Sequence, residues 1–303
     1  MPWALLRRVF SEVARNVALS NENPESRAAT QYGDQQRLDA AALDSCGGGG
    51  EGRTLIDTGP GREKFRAAPV QEVVLDIRVE PREGLTVDDL IAATKELSRT
   101  YPQITRYEPQ FAFGPDETRA LSLAQNVPGL LFSKPDGRQF IQVSIDGVTL
   151  NELSPYSGWE LLRDAARAVF EYYADTCEPQ AVTRVGLRYI NQLIVLGELF
   201  QFPEYLTVFP TVPQALGAKA IRNYFMQVVT PLEDDSATLY LSQSTVPAPQ
   251  GYNAVLLDLD YRSEGRWAPL DSATLLTVIE NLHAKAYRGF LNATTQKYRE
   301  MIK

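Results

Sequence analysis

From residue 69 onward the hydrophobic pattern becomes regular. Val73, Leu75, Ile77 and Val79 alternate with partly polar residues, and a period of two with β-branched enrichment predicts a strand over 69–79. The next run predicts a helix to about Arg99, with Thr86 capping its first turn and Leu85 packing on Leu90 as a hydrophobic staple. A second helix is predicted from a Ser157/Glu160 capping box, with Tyr156 and Leu161 as staple partners. Its apolar face is Leu161, Leu162, Ala165, Val169, Tyr172 and Tyr173, and Pro179 stops it beyond about Thr176. A third helix is predicted from Asp271, with Leu270 and Leu275 as its staple. Its stripe of Leu275, Ile279, Leu282, Ala286 and Phe290 runs toward the C-terminus.

Between the helices lie strand candidates at 120–125, 129–133, 140–145, 182–195, 223–230, 237–243 and 253–261. A Pro135-Asp136-Gly137 turn joins the second to the third. These elements predict an α+β fold in which antiparallel sheets built from hairpins are covered by three main helices. The order of hairpins followed by a helix occurs around 129–176 and again around 223–298. This leaves open two pseudo-repeated halves, 66–196 and 197–303.

The first 65 residues read differently. Trp3, Leu6, Phe10, Val13 and Val17 recur at helical spacing within 1–20, with Arg7, Arg8 and Arg15 set against them. An amphipathic helix or a weakly docked extension both fit. Residues 21–65 are polar and carry a run from Gly47 to Gly50, the composition of a disordered linker, and a start site nearer residue 66 would also account for it. The domain is therefore expected over 66–303.

Charged residues interrupt the N-terminal apolar run, so no secretory leader is read. No stretch approaches the roughly 18 apolar residues of a membrane span. The formal charge of −8 argues against general nucleic-acid binding. With only Cys46 and Cys177 there is no disulfide framework, and a cytoplasmic location is expected.

Candidate chemistry is sparse, and no cofactor is called for. His283 is the only histidine, which excludes multi-histidine metal sites, and it lies beside an apolar helical stripe where a structural role is the simpler reading. The glycines from 47 to 52 resemble a phosphate loop, but no Gly-Lys-Ser/Thr follows and no strand precedes them. Asp258 and Asp260 share one face of a strand and could hold Mg²⁺ or Ca²⁺; they could equally face solvent or pair with arginine. In the run Arg184-Val185-Gly186-Leu187-Arg188-Tyr189-Ile190-Asn191, Arg184 and Arg188 flank a glycine on one face, while Tyr189 and Asn191 lie on the other. The guanidiniums could grip a planar anion, with Tyr189 and Asn191 as further ligand candidates, or pair with internal carboxylates such as Glu160 or Asp164.

This run, with the strand over 69–79, Phe132-Ser133, Gln142-Val143-Ser144, Asn151, Tyr156, Trp159 and Leu257-Asp258-Leu259-Asp260, resembles a sporadically distributed family of bacterial and archaeal proteins of unknown function. The resemblance covers most of the chain after residue 66 and transfers no catalytic residue. Sporadic distribution implies a role in conflict between cells and mobile elements, such as an antitoxin, an immunity factor or a dedicated chaperone. The leading expectation is a non-catalytic binding or regulatory protein with a protein partner, anchored by loop residues such as Phe200, Phe202, Tyr205, Leu206 and Phe209. The alternatives are a metal-dependent enzyme or binding protein acting on a phosphate-containing small molecule or nucleic acid, and a small-molecule carrier with a deep apolar pocket.

Overall fold

Strand alternation decides the architecture. A computed structural model describes residues 65–93, 97–107, 129–197, 199–218, 220–234, 236–267 and 272–303. The amphipathic stretch of 1–20, the linker up to residue 64, the strand candidate 120–125, and Leu270 and Asp271 lie outside them. In chain order the elements are β1 (Val70–Glu80), α1 (Val87–Ala93), α2 (Leu97–Thr100), β2 (Gln103–Tyr107), β3 (Gly129–Ser133), β4 (Gln139–Ser144) and β5 (Gly147–Leu153). There follow α3 (Trp159–Cys177), β6 (Ala181–Leu196), α4 (Phe202–Tyr205), β7 (Phe225–Pro231), β8 (Thr238–Val246), β9 (Tyr252–Trp267), α5 (Ser272–Ala293) and α6 (Gln296–Met301).

All nine strands form one antiparallel sheet in the order β2, β3, β4, β5, β1, β6, β9, β8, β7. This overturns the expected α+β arrangement of hairpin sheets under three main helices. The sheet dominates, and of the six α-helices among the described residues only α3 and α5, of 19 and 22 residues, are long; the other four have at most seven. Two features hid the single sheet. β5 follows its Asp146-Gly147 turn so closely that the run from Phe140 to Leu153 does not separate into two strands. The joining contact, β1 against β6, pairs residues more than 100 positions apart, Leu75 opposite Leu187. β1 and β6 each pair on their other flank with a strand that a long helix follows, β5 before α3 and β9 before α5.

Because side chains alternate across the pleat, odd-numbered residues of β1, β6 and β9 form one buried face, including Leu75, Ile77, Val185, Leu187, Leu193, Val255, Leu257 and Leu259. Helix α3 packs on β5, and α5 packs on β6 and β9. They bury Leu162, Val169, Phe170 and Tyr173 from α3, and the predicted stripe Leu275, Ile279, Leu282, Ala286 and Phe290 from α5. Phe65 joins this core, edge-on to Phe290 with ring centroids 5.7 Å apart. The even-numbered face is called the outer face below.

The helix starts were partly misread. At α1, Thr86 and Asp89 do exchange bonds: the Thr86 N–H donates to Asp89 Oδ2 at 2.9 Å and the Asp89 N–H to Thr86 Oγ1 at 3.4 Å. At α3 the N-cap is Gly158, without a side-chain cap bond, and Leu161 is 63% exposed, so neither the Ser157/Glu160 box nor the staple forms. The Ser157 N–H instead donates to the Glu152 carboxylate at 2.5 Å, which also accepts from Gln139 Nε2 at 2.9 Å. In the capping box that N–H would donate to the Glu160 carboxylate, and the buried Glu152 carboxylate takes it instead.

Two glycines are set by close approach. Gly147 starts β5 at φ 146°, where a Cβ would run into the Ile77 carbonyl of β1. On α5, a Cβ at Gly289 would overlap the Tyr261 hydroxyl of β9, with the ring Cζ 3.0 Å away. Gly289→Ala should therefore destabilise by about 1–3 kcal/mol through overpacking, less the roughly 1 kcal/mol that alanine contributes to a helix. In a Tyr261→Phe background the same substitution should cost clearly less, a difference that urea unfolding of the four proteins would measure.

Candidate functional site

The outer face carries the candidate charges. Arg184 on β6 donates Nε and Nη2 to Asp76 Oδ2 on β1, at 3.2 and 2.6 Å. The other Asp76 oxygen meets Arg78 Nη2 at 2.7 Å and accepts from the Thr149 hydroxyl at 2.9 Å. Arg78 Nη1 reaches Asp146 at 3.1 Å. Arg188 grips Asp258 of β9 with two parallel bonds, Nε to Oδ1 at 2.8 Å and Nη2 to Oδ2 at 2.6 Å. Arg262 donates to Asp260 at 2.9 and 2.6 Å and lies over the Tyr240 ring, 4.1 Å from its centroid.

Arg184, Arg188, Asp258 and Asp260 therefore share one face, on adjacent strands, but each is engaged: Arg188 and Asp258 bond each other, Arg184 bonds Asp76, and Asp260 bonds Arg262. The arginines' partners are Asp76 and Asp258, not Glu160 or Asp164. The aspartates hold guanidiniums, and among the described residues no group of three or more histidine, cysteine or acidic side chains is placed to hold a metal ion. Tyr189 and Asn191 project to the opposite face. Asn191 Nδ2 donates to the carbonyls of Tyr189 and Leu257 at 3.3 and 3.2 Å, a bond set internal to the sheet.

The electrostatics follow from burial. Burial pushes the Asp76 carboxyl upward, but Arg78, Arg184 and the bonds from Arg184 and Thr149 outweigh it and leave the group below the usual range. For Asp260, burial prevails over Arg262 and Arg188 and the group is raised. Glu72, on β1 beside the Arg188–Asp258 pair, is raised by burial to about 7; Arg188 pulls it down and Asp258 pushes it up. Asp258 occupies the Arg188 fork, so Glu72 gains that cation's field without its bonds.

Beneath the helices lies a second cluster. Trp159 of α3 stacks on His283 of α5 with centroids 3.9 Å apart and planes 8° from parallel. His283 Nδ1 and the Tyr189 hydroxyl are 3.1 Å apart, and Tyr189 meets the Tyr156 hydroxyl at 3.4 Å. Trp159 Nε1 and Arg163 Nη1 both donate to Glu280 at 3.1 Å. A recess of about 40 Å³ opens between Phe65, Val70, Tyr189, His283 and Phe290. Typical ligand pockets measure about 300–1,000 Å³, so this recess is too small for a carried molecule. His283 thus joins the helices to the sheet.

The loop aromatics resolve as core. Phe200, Phe202 and Leu206 are buried, and Tyr205 and Phe209 pack against the same cluster, so these are not surface anchors. Several exposed apolar residues lie elsewhere, and three of them, Ile194, Leu196 and Tyr252, stand together at one end of the outer face, Leu196 directly opposite Tyr252. Parity carried the signal, since Ile194 and Leu196 continue the even register of Arg184 and Arg188.

No protein-family model matches the chain, and the search of curated proteins finds no relative. Among solved structures, the di-domain ARO/CYC StfQ from the steffimycin biosynthetic pathway aligns over 76% of this chain and 97% of its own at 11% identity, with a TM-score of 0.17. A likeness of that size carries no argument about fold or function. No helix among the described residues is long and apolar enough to cross a membrane.

Removing one member of a buried pair should be severe. Asp258→Ala should cost about 3–5 kcal/mol by leaving the Arg188 guanidinium buried without its carboxylate, and Arg188→Met combined with Asp258→Leu should recover most of it in chemical denaturation. Glu72 has the opposite sign. Its pKa is raised from 4.5 to about 7 on folding, so the stability it contributes is fully present below pH 4.5 and lost as pH rises through 7. Glu72→Gln should match wild type near pH 4.5 and exceed it by up to about 3 kcal/mol at pH 8, read from unfolding midpoints across that range.

Proposed function

We propose that the protein is a non-catalytic binding protein that engages a protein partner through the outer face of its sheet. The observation that carries this reading is the uncovered apolar group at the β6–β9 end, where Leu196 is 72%, Tyr252 39% and Ile194 36% exposed. Along the same two strands Gln192, opposite Leu256, separates these residues from the paired charges of Arg188 and Asp258. Interfaces are commonly built as an apolar centre, often with an aromatic anchor, beside a polar rim. The mutual engagement of the arginines and aspartates supports the same reading, because their bonding capacity goes to the fold. Membership of the sporadically distributed family, and a setting in mobile-element conflict, toxin–antitoxin pairing or defence, belong to this proposal.

The test is quantitative capture from the host with tagged full-length protein, compared with Leu196→Asp/Tyr252→Ala. Both positions are exposed, so the variant should keep its unfolding midpoint while losing a stoichiometric protein that wild type retains. Equal retention by a folded variant, or recovery of a nucleotide or metal without protein, would overturn the reading.

A further inference from the structure

Beyond that reading, we propose that the free edge of β7 pairs antiparallel with the same strand of a second copy of this chain, about a twofold axis at Val228. β7 ends the sheet, and among the described residues only β8 pairs with it. The ladder fixes which backbone groups remain for another strand. The Thr245 N–H donates to the Tyr224 carbonyl at 3.2 Å, and the Leu232 N–H to the Ala237 carbonyl at 2.9 Å, so at both ends of β7 it is the even-numbered residues that bond β8. In an antiparallel ladder both groups of a residue point to the same neighbour and the direction alternates. Phe225, Gln227 and Val229 therefore direct N–H and C=O to the open side, where Pro231 offers only a carbonyl.

The sequence of this edge suits its own copy. Edge strands are ordinarily blunted by charge or proline. β7 reads FMQVVTP, without a charge, and its one proline is the last residue. Phe225 is 60%, Val228 44% and Val229 52% exposed. The flanks are oppositely charged: exposed Arg222 precedes the strand, and exposed Glu233 and Asp234 follow it. Antiparallel pairing centred on Val228 sets Gln227 opposite the partner's Val229 and Phe225 opposite the partner's Pro231. It also brings Arg222 toward the partner's Glu233 and Asp234, twice by symmetry; Asp234 already bonds Lys285 of its own chain at 2.5 Å, so Glu233 is the acid left for Arg222. A parallel arrangement would stack like charges at both ends. This complementarity favours the antiparallel orientation of the two copies. The symmetric register closes six main-chain hydrogen bonds, with Pro231 ending the ladder on each side.

Size-resolved light scattering of the full chain should give twice the 33.7 kDa chain mass at micromolar concentration. Val228→Lys, which sets two ammonium groups face to face on the axis, should be monomeric at the same concentration while still unfolding cooperatively, with a midpoint that no longer depends on protein concentration as the wild type's does. Arg222→Glu should weaken the dimer at least tenfold. The register has its own readout. Non-hydrogen-bonded antiparallel pairs sit about 4.5 Å apart at Cα, within disulfide reach, so Val228→Cys should cross-link between chains on oxidation while Phe225→Cys and wild type should not. A monomeric wild type would overturn the proposal. So would a folded Val228→Lys of unchanged mass, or a wild type that dimerises only once residues 1–64 are removed, which would mean the chain covers its own edge. These outcomes concern oligomeric mass and leave the capture experiment independent.

Discussion

The antiparallel contact between β1 and β6 is the constraint on which the rest depends. It joins strands whose paired residues lie more than 100 positions apart in the chain, such as Leu75 and Leu187. Closing so long a loop costs entropy before any contact offsets it. The two strands meet with apolar side chains on one face and with Asp76 against Arg184 on the other. Once they pair, β5 and β9 take the outer flanks, and the helices that follow those strands come to lie on the same face. Trp159 of α3 then stacks on His283 of α5, and Tyr189 of β6 bonds the histidine from below. The lone histidine is therefore explained by packing, as a flat polar group that two helices and a strand share.

The outer face solves a different problem. Strands buried on both faces usually carry apolar residues throughout, whereas the central strands here bury arginines and aspartates. Each guanidinium meets a carboxylate on its own or a neighbouring strand, and Thr149 and Tyr240 add a hydrogen bond and a ring face. Desolvating an ion is expensive, so such a face is sustained only when nearly every charge has its counterpart at bonding distance. Glu72 marks where that matching stops, because the guanidinium beside it is already engaged in both directions by Asp258. A raised carboxyl follows from geometry that leaves one acid in excess.

Much of this was legible locally, and little of it globally. β1, β6 and β9, the Thr86–Asp89 start of α1 and the apolar stripe of α5 follow from periodicity, because each is dictated by neighbours within a few residues. The Glu152 bond to the Ser157 N–H was not legible, since a strand residue five positions upstream competes with the capping pair only once the turn is folded. Proximity in the chain offers Arg184 and Arg188 the carboxylates Glu160 and Asp164 of the preceding helix, yet sheet order assigns their partners to β1 and β9. Alternation did place Arg184 and Arg188 on one face and Tyr189 and Asn191 on the other, so a single ligand site using all four was already geometrically strained. Ile194 and Leu196 share the arginines' parity, and their exposure depends on which face the helices cover, a fact set by α3 and α5 together.

That last point bears on function. A sheet with helices on one side must manage its other side, and this chain does so in two ways along the same strands. Toward the middle of β6, charges neutralise each other and lie flat, so the surface is polar, engaged and costly to disturb. Toward its end the even positions become Ile194 and Leu196, with Tyr252 opposite, and no charged residue intervenes. Apolar side chains at those positions point away from the core beneath the helices, and displaying them side by side to water does not help the fold. The change from paired charge to exposed aliphatic within one strand separates a region whose side chains hold the fold from one whose side chains are left to the surface, and it is this second region that the proposed binding role uses.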